Sequence, residues 1–204
     1  MDKTNLNLKW SYQIATILSS VGIKYACICP GSRNSALTIG FTDNPNFITS
    51  SHIDERSTGY FALGISKKNN IPTVVITTSG TAVANLFPSI IESNLSKTPL
   101  IIMTADRPSH LIDKGENQTI NQKDIYGKHV RNFNDMGSPS ENLSLLQKKI
   151  ESSYQHSIGI NGIPPGPVHI NIPFDEPLVP KLINNYENTI KTNLKIDTYK
   201  SELN

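Results

Sequence analysis

A chain of 204 residues with 37% hydrophobic content can bury one sizeable core plus a short extension, and it is too short for the two or three domains of a large enzyme. Lys and Arg total 19 against 17 Asp and Glu, with no basic block longer than a pair, which excludes the electrostatic footprint of a nucleic-acid or membrane-surface partner. The start MDKTNLNLKWSYQ lacks a signal-peptide core and no stretch reaches the roughly 18–20 apolar residues of a membrane span, so the chain reads as soluble and cytoplasmic.

From the amino end, Trp10, Ile14, Ile17, Leu18 and Val21 recur at helical spacing and Gly22 supplies a C-terminal stop. Tyr25 to Ile28 reads as a buried strand, PGSRNS as a turn, and Ser35 as the cap of a helix reaching about Thr42. Cys27 and Cys29 fall on one face of a strand, too close for a structural disulfide and too few for zinc; they read as buried small hydrophobes. Phe47 to Ser50 reads as a strand leading into a helix that opens at Asp54 and Glu55. The pattern continues with strand Thr73 to Thr77, turn TSGTAV, a helix from about Ala82 to Ser96 that Pro88 should either kink or delay to a later start, and strand Leu100 to Met103. A long polar loop over 107–128 precedes a weak strand at Val130 to Phe133, a capped helix from near Ser140, and a last strand at Val168 to Ile172. Strands alternating with helices predict an α/β fold: a doubly wound, mainly parallel sheet of about six strands with helices on both faces. Residues 1–180 form that domain, and residues 181–204, polar and without alternation, read as a linker or the opening of a further domain.

In such a sheet the ligand sits outside the carboxyl ends of the strands, where PGSRNS, SSHIDER, TSGTA and TADRP all fall. Of only four Arg against 15 Lys, three (Arg33, Arg56 and Arg107) lie in these segments, and bidentate pairing with a carboxylate or phosphate is what Arg does better than Lys. The rim reads as an anion site. Glu55, followed by Gly59, Ala62 and Gly64, is expected to lie under close-packed backbone, shielded from water, as a candidate working acid. The same Asp-Glu-Arg run also suits a plain helix start favoured by the helix dipole. Neither the Walker pattern nor GxGxxG occurs, and Ser79 lacks the GxSxG setting of a hydrolase nucleophile. His52 and His169, beside or in strands, read as hydrogen-bonded structural histidines.

The segments CPGSRNSALT, SHIDERSTGYFALG, TTSGTAVANLFPSIIES, LIIMTADRP, GENQTINQKDIYG and GPVHINIPFDEPL together resemble the 2-succinyl-5-enolpyruvyl-6-hydroxy-3-cyclohexene-1-carboxylate synthases (MenD) of menaquinone and phylloquinone biosynthesis, from residue 1 to about 180. The resemblance implies the amino-terminal pyrimidine-binding domain of a thiamine-diphosphate enzyme, a transferase that decarboxylates 2-oxoglutarate and adds the succinyl carbanion equivalent to isochorismate. It implies that Glu55 faces N1′ of the aminopyrimidine, where a carboxyl of raised pKa favours the imino tautomer that takes the thiazolium C2 proton. It places Pro30, Thr81 and Asn85 on the cofactor's wall, and Ser32, Arg33, Arg107, Asn117 and Gln118 on the isochorismate-side substrate, with both arginines as carboxylate forks. The family's Mg2+ or Mn2+ is held by a GDG motif in a diphosphate-binding domain; this sequence has no GDG, so no metal site is expected here and the chain alone is expected to be inactive. The resemblance further implies a homodimer or higher homo-oligomer, with the site completed by a second subunit's diphosphate domain. Two other readings stay open: the pyrimidine-domain subunit of a split thiamine-dependent 2-oxoacid decarboxylase, and a non-catalytic anion-binding module.

Overall fold

The computed structural model describes residues 3–178, so the segment 181–204 read as a linker lies outside the described residues. Helix α1, Lys3–Ser20, buries Trp10, Ile14, Ile17 and Leu18 along one stripe and ends where Gly22 turns the chain at φ 85°, a backbone region that a Cβ disfavours. Then follow β1 (Tyr25–Ile28), α2 (Ser35–Thr42), β2 (Ile48–Ser51), α3 (Glu55–Asn69) and β3 (Thr73–Thr77). The second half holds α4 (Thr81–Asn85), α5 (Phe87–Leu95), β4 (Leu100–Asp106), β5 (Phe133–Asp135), α6 (Leu143–Ile158) and β6 (Pro167–Pro173).

Several boundaries differ from the sequence expectation. Ser35 is the first helical residue rather than the cap; Asn34 holds the cap position, and its carboxamide ties the turn instead, accepting from Gly31 N at 2.7 Å and donating to the Cys29 carbonyl at 3.0 Å. The helix drawn over 82–96 is two helices, broken at Leu86, because Pro88 sits in the first turn of α5, where its missing N–H costs nothing. Strand β4 runs on to Asp106, since β6 pairs with it over its whole length. The weak strand begins at Phe133 rather than Val130, in register with His169. The cap of α6 is Asn142, which accepts from Leu145 N at 3.1 Å, and not Ser140.

All pairings are parallel and the strand order is β2-β1-β3-β4-β6-β5. Strand side chains alternate between two cores: Ala26, Ile28, Val74, Ile76, Ile101 and Met103 pack under α1, α2 and α6, while Cys27, Val75, Leu100 and Ile102 pack under α3, α4 and α5. Each fully buried Val or Ile stabilises the sheet by about 1.5–3 kcal/mol. Both cysteines are buried thiols. No helix among the described residues is long and apolar enough to cross a membrane.

One polar chain runs through the sheet beneath the rim. Thr104 Oγ1 donates to Asn171 Oδ1 at 2.7 Å, so it accepts from His169 Nε2 at 2.8 Å, and the buried His169 Nδ1 lone pair has no partner among the described residues. Burial, outweighing the attraction of Asp135, pushes the His169 pKa down to about 3. The unfolded chain takes up that proton near pH 6.5 and the folded chain does not, so stability is expected to fall as pH drops from about 6.5 towards 3. Asp106, its carboxyl pushed up chiefly by burial, acts with the opposite sign, because its contribution is lost as pH rises through its folded value. Denaturant midpoints of wild type and His169→Gln, compared across pH 3–7, isolate the histidine: the wild-type acid loss should be reduced in the variant, and an unchanged profile would refute the assignment.

Candidate active site

The carboxyl ends of the parallel strands share one rim, and the order reverses between β1 and β3, the switch point at which open α/β sheets place their ligands. The turns leaving those two strands touch: a Cβ on Gly31 would lie 2.6 Å from Thr78 Cβ. On this contact sits a pocket of about 260 Å³ lined by Ser32, Arg33, Thr78, Ser79, Arg107 and Gln118, together with Glu176 and Leu178. Four of the residues expected to bind substrate are thus brought together: Ser32, Arg33, Arg107 and Gln118.

Arg107 is aimed by its neighbours. Its backbone N–H donates to Asp106 Oδ1 at 2.7 Å, and its Nη1 donates to Ser79 Oγ and, at 2.8 Å, to the Gln118 carbonyl. Its pKa is lowered, first by burial and then by the guanidinium of Arg33. Two like charges on one small pocket are a cost that a bound anion removes.

Arg33 is 6% exposed, and its orientation is less open than a simple fork. Its Nη1 donates to the Phe174 carbonyl at 3.0 Å and its Nη2 lies 3.4 Å from the exposed Glu176 carboxylate, while its buried Nε has no acceptor among the described residues. An incoming carboxylate would compete with Glu176 for this guanidinium.

Glu55 stands outside that pocket, at the first position of α3. Asp54 caps the helix, accepting from Ser57 N at 2.7 Å, which leaves the Glu55 carboxylate without a hydrogen bond or ion pair among the described residues. The expected shielding is partial: Glu55 is neither fully buried nor exposed at the start of α3. Two residues before it Ile53 is 98% exposed, and further along α3 Phe61 is 50% exposed, its ring 4.8 Å from that of His52. Just after β1, burial first, with the Glu55 and Asp54 carboxylates adding to it against a hydrogen bond with Thr58, pushes the Cys29 thiol up to about 11.

The other expected residues fall apart from the arginine pair. Thr81 and Asn85 bound the exposed side of α4, Pro30 is exposed just after β1, and Asn117 is exposed in the long loop. Arg56 is exposed on α3 and does not join the pocket. A second cavity, of about 400 Å³, shares Arg107 and is lined by Asp106, Asn121, Lys123 and Asp135, of which Lys123 and Asp135 form an ion pair at 2.9 Å. No group of three or more His, Cys, Asp or Glu among the described residues could hold a metal ion.

Sequence reasoning missed Ser79 and Glu176 as pocket residues and Gln122 as the buried support beneath the pocket. Ser79 was legible only as a poor nucleophile; its hydroxyl instead accepts from Arg107 and donates to the Gln118 carbonyl at 3.2 Å. For Gln122 the one available signal is its repeat of Gln118 four residues on, inside a polar loop.

The family described as "Thiamine pyrophosphate enzyme, N-terminal TPP binding domain" matches residues 8–125, which span the strand-end turns after β1, β2, β3 and β4. The chain belongs to that family. Similar curated proteins carry the name 2-succinyl-5-enolpyruvyl-6-hydroxy-3-cyclohexene-1-carboxylate synthase. One from Chloroflexus aurantiacus is 44% identical over 84% of this chain and 29% of its own length. Those from Halobacterium salinarum and Vibrio campbellii are each 41% identical, over 88% and 94% of this chain and 31% and 32% of their own lengths. The chain thus spans about a third of the length of these curated relatives. Among solved structures, benzoylformate decarboxylase from Polynucleobacter necessarius shares the fold, with a TM-score of 0.70 over 91% of this chain and 33% of that one at 18% identity. The residues present fit a thiamine pyrophosphate pyrimidine in one respect: Glu55 is a carboxylate with no hydrogen-bond partner among the described residues, at the first position of α3, and so is open to a ring nitrogen.

Proposed function

We propose that this chain is the pyrimidine-binding portion of a thiamine-diphosphate-dependent synthase that decarboxylates 2-oxoglutarate and joins the succinyl unit to isochorismate. The observation that carries the reading is the gathering of Ser32, Arg33, Arg107 and Gln118 on one anion pocket, in a chain 41–44% identical to proteins named for that reaction. When bound, thiamine diphosphate supplies the carbanion-stabilising centre for decarboxylation and carbon–carbon bond formation.

The protein's part is positioning and proton handling. Glu55 holds a proton against the aminopyrimidine ring, and Pro30, Thr81 and Asn85 line the cofactor's side of the rim. Arg33 and Arg107 bind the acceptor's carboxylates, while Ser32, Asn117 and Gln118 hydrogen-bond its remaining oxygens. Mg2+ or Mn2+ with the diphosphate belongs to a separate diphosphate-binding domain. A homodimer brings that domain of a second subunit over Glu55; the exposed Ile53, just before α3, and Tyr60 and Phe61 on α3 support such a cover, which would complete the shielding.

The test is an assay of the complete synthase carrying these residues, loaded with thiamine diphosphate and Mg2+. Carbon dioxide release from 2-oxoglutarate should be coupled one-to-one to isochorismate consumption. Release without isochorismate consumption would assign a 2-oxoacid decarboxylase instead. This chain assayed alone should show neither.

A further inference from the structure

A side chain that is not part of the anion pocket's lining ties down three of the elements that form it. Gln122, in the long loop, is fully buried. Its Oε1 accepts from Gly80 N at 2.8 Å, and its Nε2 donates to the Ala105 carbonyl at 3.1 Å and to Asn171 Oδ1 at 2.9 Å. Both amide hydrogens are used, and the turn after β3 and the ends of β4 and β6 are joined through one carboxamide. Asn171 passes the linkage on, donating to Asp106 Oδ2 at 2.8 Å, and Asp106 Oδ1 in turn accepts from the Arg107 N–H.

Four residues earlier the loop is fastened a second time. Gln118, at φ 55°, turns its carbonyl to Arg107 Nη1 and Ser79 Oγ, and its Nε2 donates back to the Ser79 carbonyl at 3.1 Å. The approach is so close that a Cβ on Gly80, itself at φ 82°, would meet the Gln118 carbonyl oxygen at 2.7 Å. The outer fastening therefore holds the guanidinium, and the inner one holds the loop that provides the outer one.

We propose that Gln122 is a positioning residue for the anion pocket, setting the loop so that Gln118 and Ser79 hold the Arg107 guanidinium towards the ligand. The inference rests on reading that pocket as the site of the dicarboxylate acceptor. Replacing the carboxamide by an apolar chain of equal length removes three hydrogen bonds and leaves the Gly80 N–H buried without an acceptor, so the turn and loop separate. Misplacement of a binding group by about 1 Å can cost as much as 100-fold.

The test is a double-mutant cycle in the complete synthase between Gln122→Met and Arg107→Ala. With Arg107 present, Gln122→Met should raise the KM for isochorismate about tenfold or more and change kcat less than about threefold. With Arg107→Ala already in place, Gln122→Met should move KM by no more than about twofold, because the effect passes through the guanidinium. Equal effects in both backgrounds would overturn the proposal, since a merely structural role is indifferent to Arg107. Should Gln122→Met lose its cooperative melt, Gln122→Asn, polar but one methylene short of Gly80, takes its place with the same expectations. A second readout needs no catalysis: in this chain, Gln122→Met should speed hydrogen exchange at the Gly80 amide about tenfold or more and weaken calorimetric binding of succinate only when Arg107 is present. If the wild-type synthase does not consume isochorismate, the functional reading fails; unchanged succinate affinity in Gln122→Met would overturn the positioning role whichever way that assay falls.

Discussion

Glu55→Gln in the complete synthase is expected to lower turnover by about 1,000-fold or more, within the range that a positioned acid–base group contributes. The amide keeps the shape of the carboxyl but cannot share a proton with a ring nitrogen. Because Asp54, not Glu55, accepts from Ser57 N, the substitution removes no helix cap and the melting temperature should change little. Absence of a protein partner for the Glu55 carboxylate among the described residues points the same way: its loss breaks no internal hydrogen bond there. The decisive measurement is exchange of the cofactor's C2 proton, followed by NMR in deuterated buffer. Wild-type exchange rates in Glu55→Gln would remove Glu55 from the mechanism, whatever the steady-state rate.

Arg107→Ala should raise the KM for isochorismate by about 100-fold, with a much smaller change in kcat, as expected when a group binds ground and transition states alike. The guanidinium is only part-exposed and is held by Ser79 and the Gln118 carbonyl before any ligand arrives, so little entropy is left to lose on binding. Arg107→Lys should recover only a fraction of the affinity, since an ammonium keeps the charge but loses the planar fork. Arg56→Ala serves as the control: Arg56 is exposed on α3 away from the pocket, and its removal should leave KM within about twofold, the surface-charge expectation. A KM unchanged in Arg107→Ala would dismiss the two-arginine pocket as the acceptor site.

Much of the frame was legible from local pattern. The helical spacing of Trp10, Ile14, Ile17 and Leu18, the apolar run Thr73–Thr77, and the three arginines gathered at strand ends are properties of neighbouring residues, and neighbouring residues determine periodicity and turn chemistry. They were enough to place a six-stranded doubly wound sheet and to bring the segments of Ser32, Arg33 and Arg107 to its rim, whereas Gln118 was placed there by the family resemblance alone. Boundaries failed where the partner was distant: β4 is lengthened by β6, and β5 takes its register from His169.

The site divided along the same line. That Glu55 opens a helix follows from its own segment; that it is half-buried and lacks a partner among the described residues depends on what the rest of the fold leaves uncovered. Arg33 was recognisable as an anion binder by residue type, yet its guanidinium is turned by the Phe174 carbonyl and Glu176, more than 140 residues away. Gln122 had almost no signature, because a carboxamide in a polar loop looks solvated until β3, β4 and β6 bring Gly80, Ala105 and Asn171 around it. Local pattern carried the elements, their alternation and the residue types at the rim. Where each buried polar group finds its partner came from long-range packing, since hydrogen-bond satisfaction is a property of groups that the chain brings together from afar.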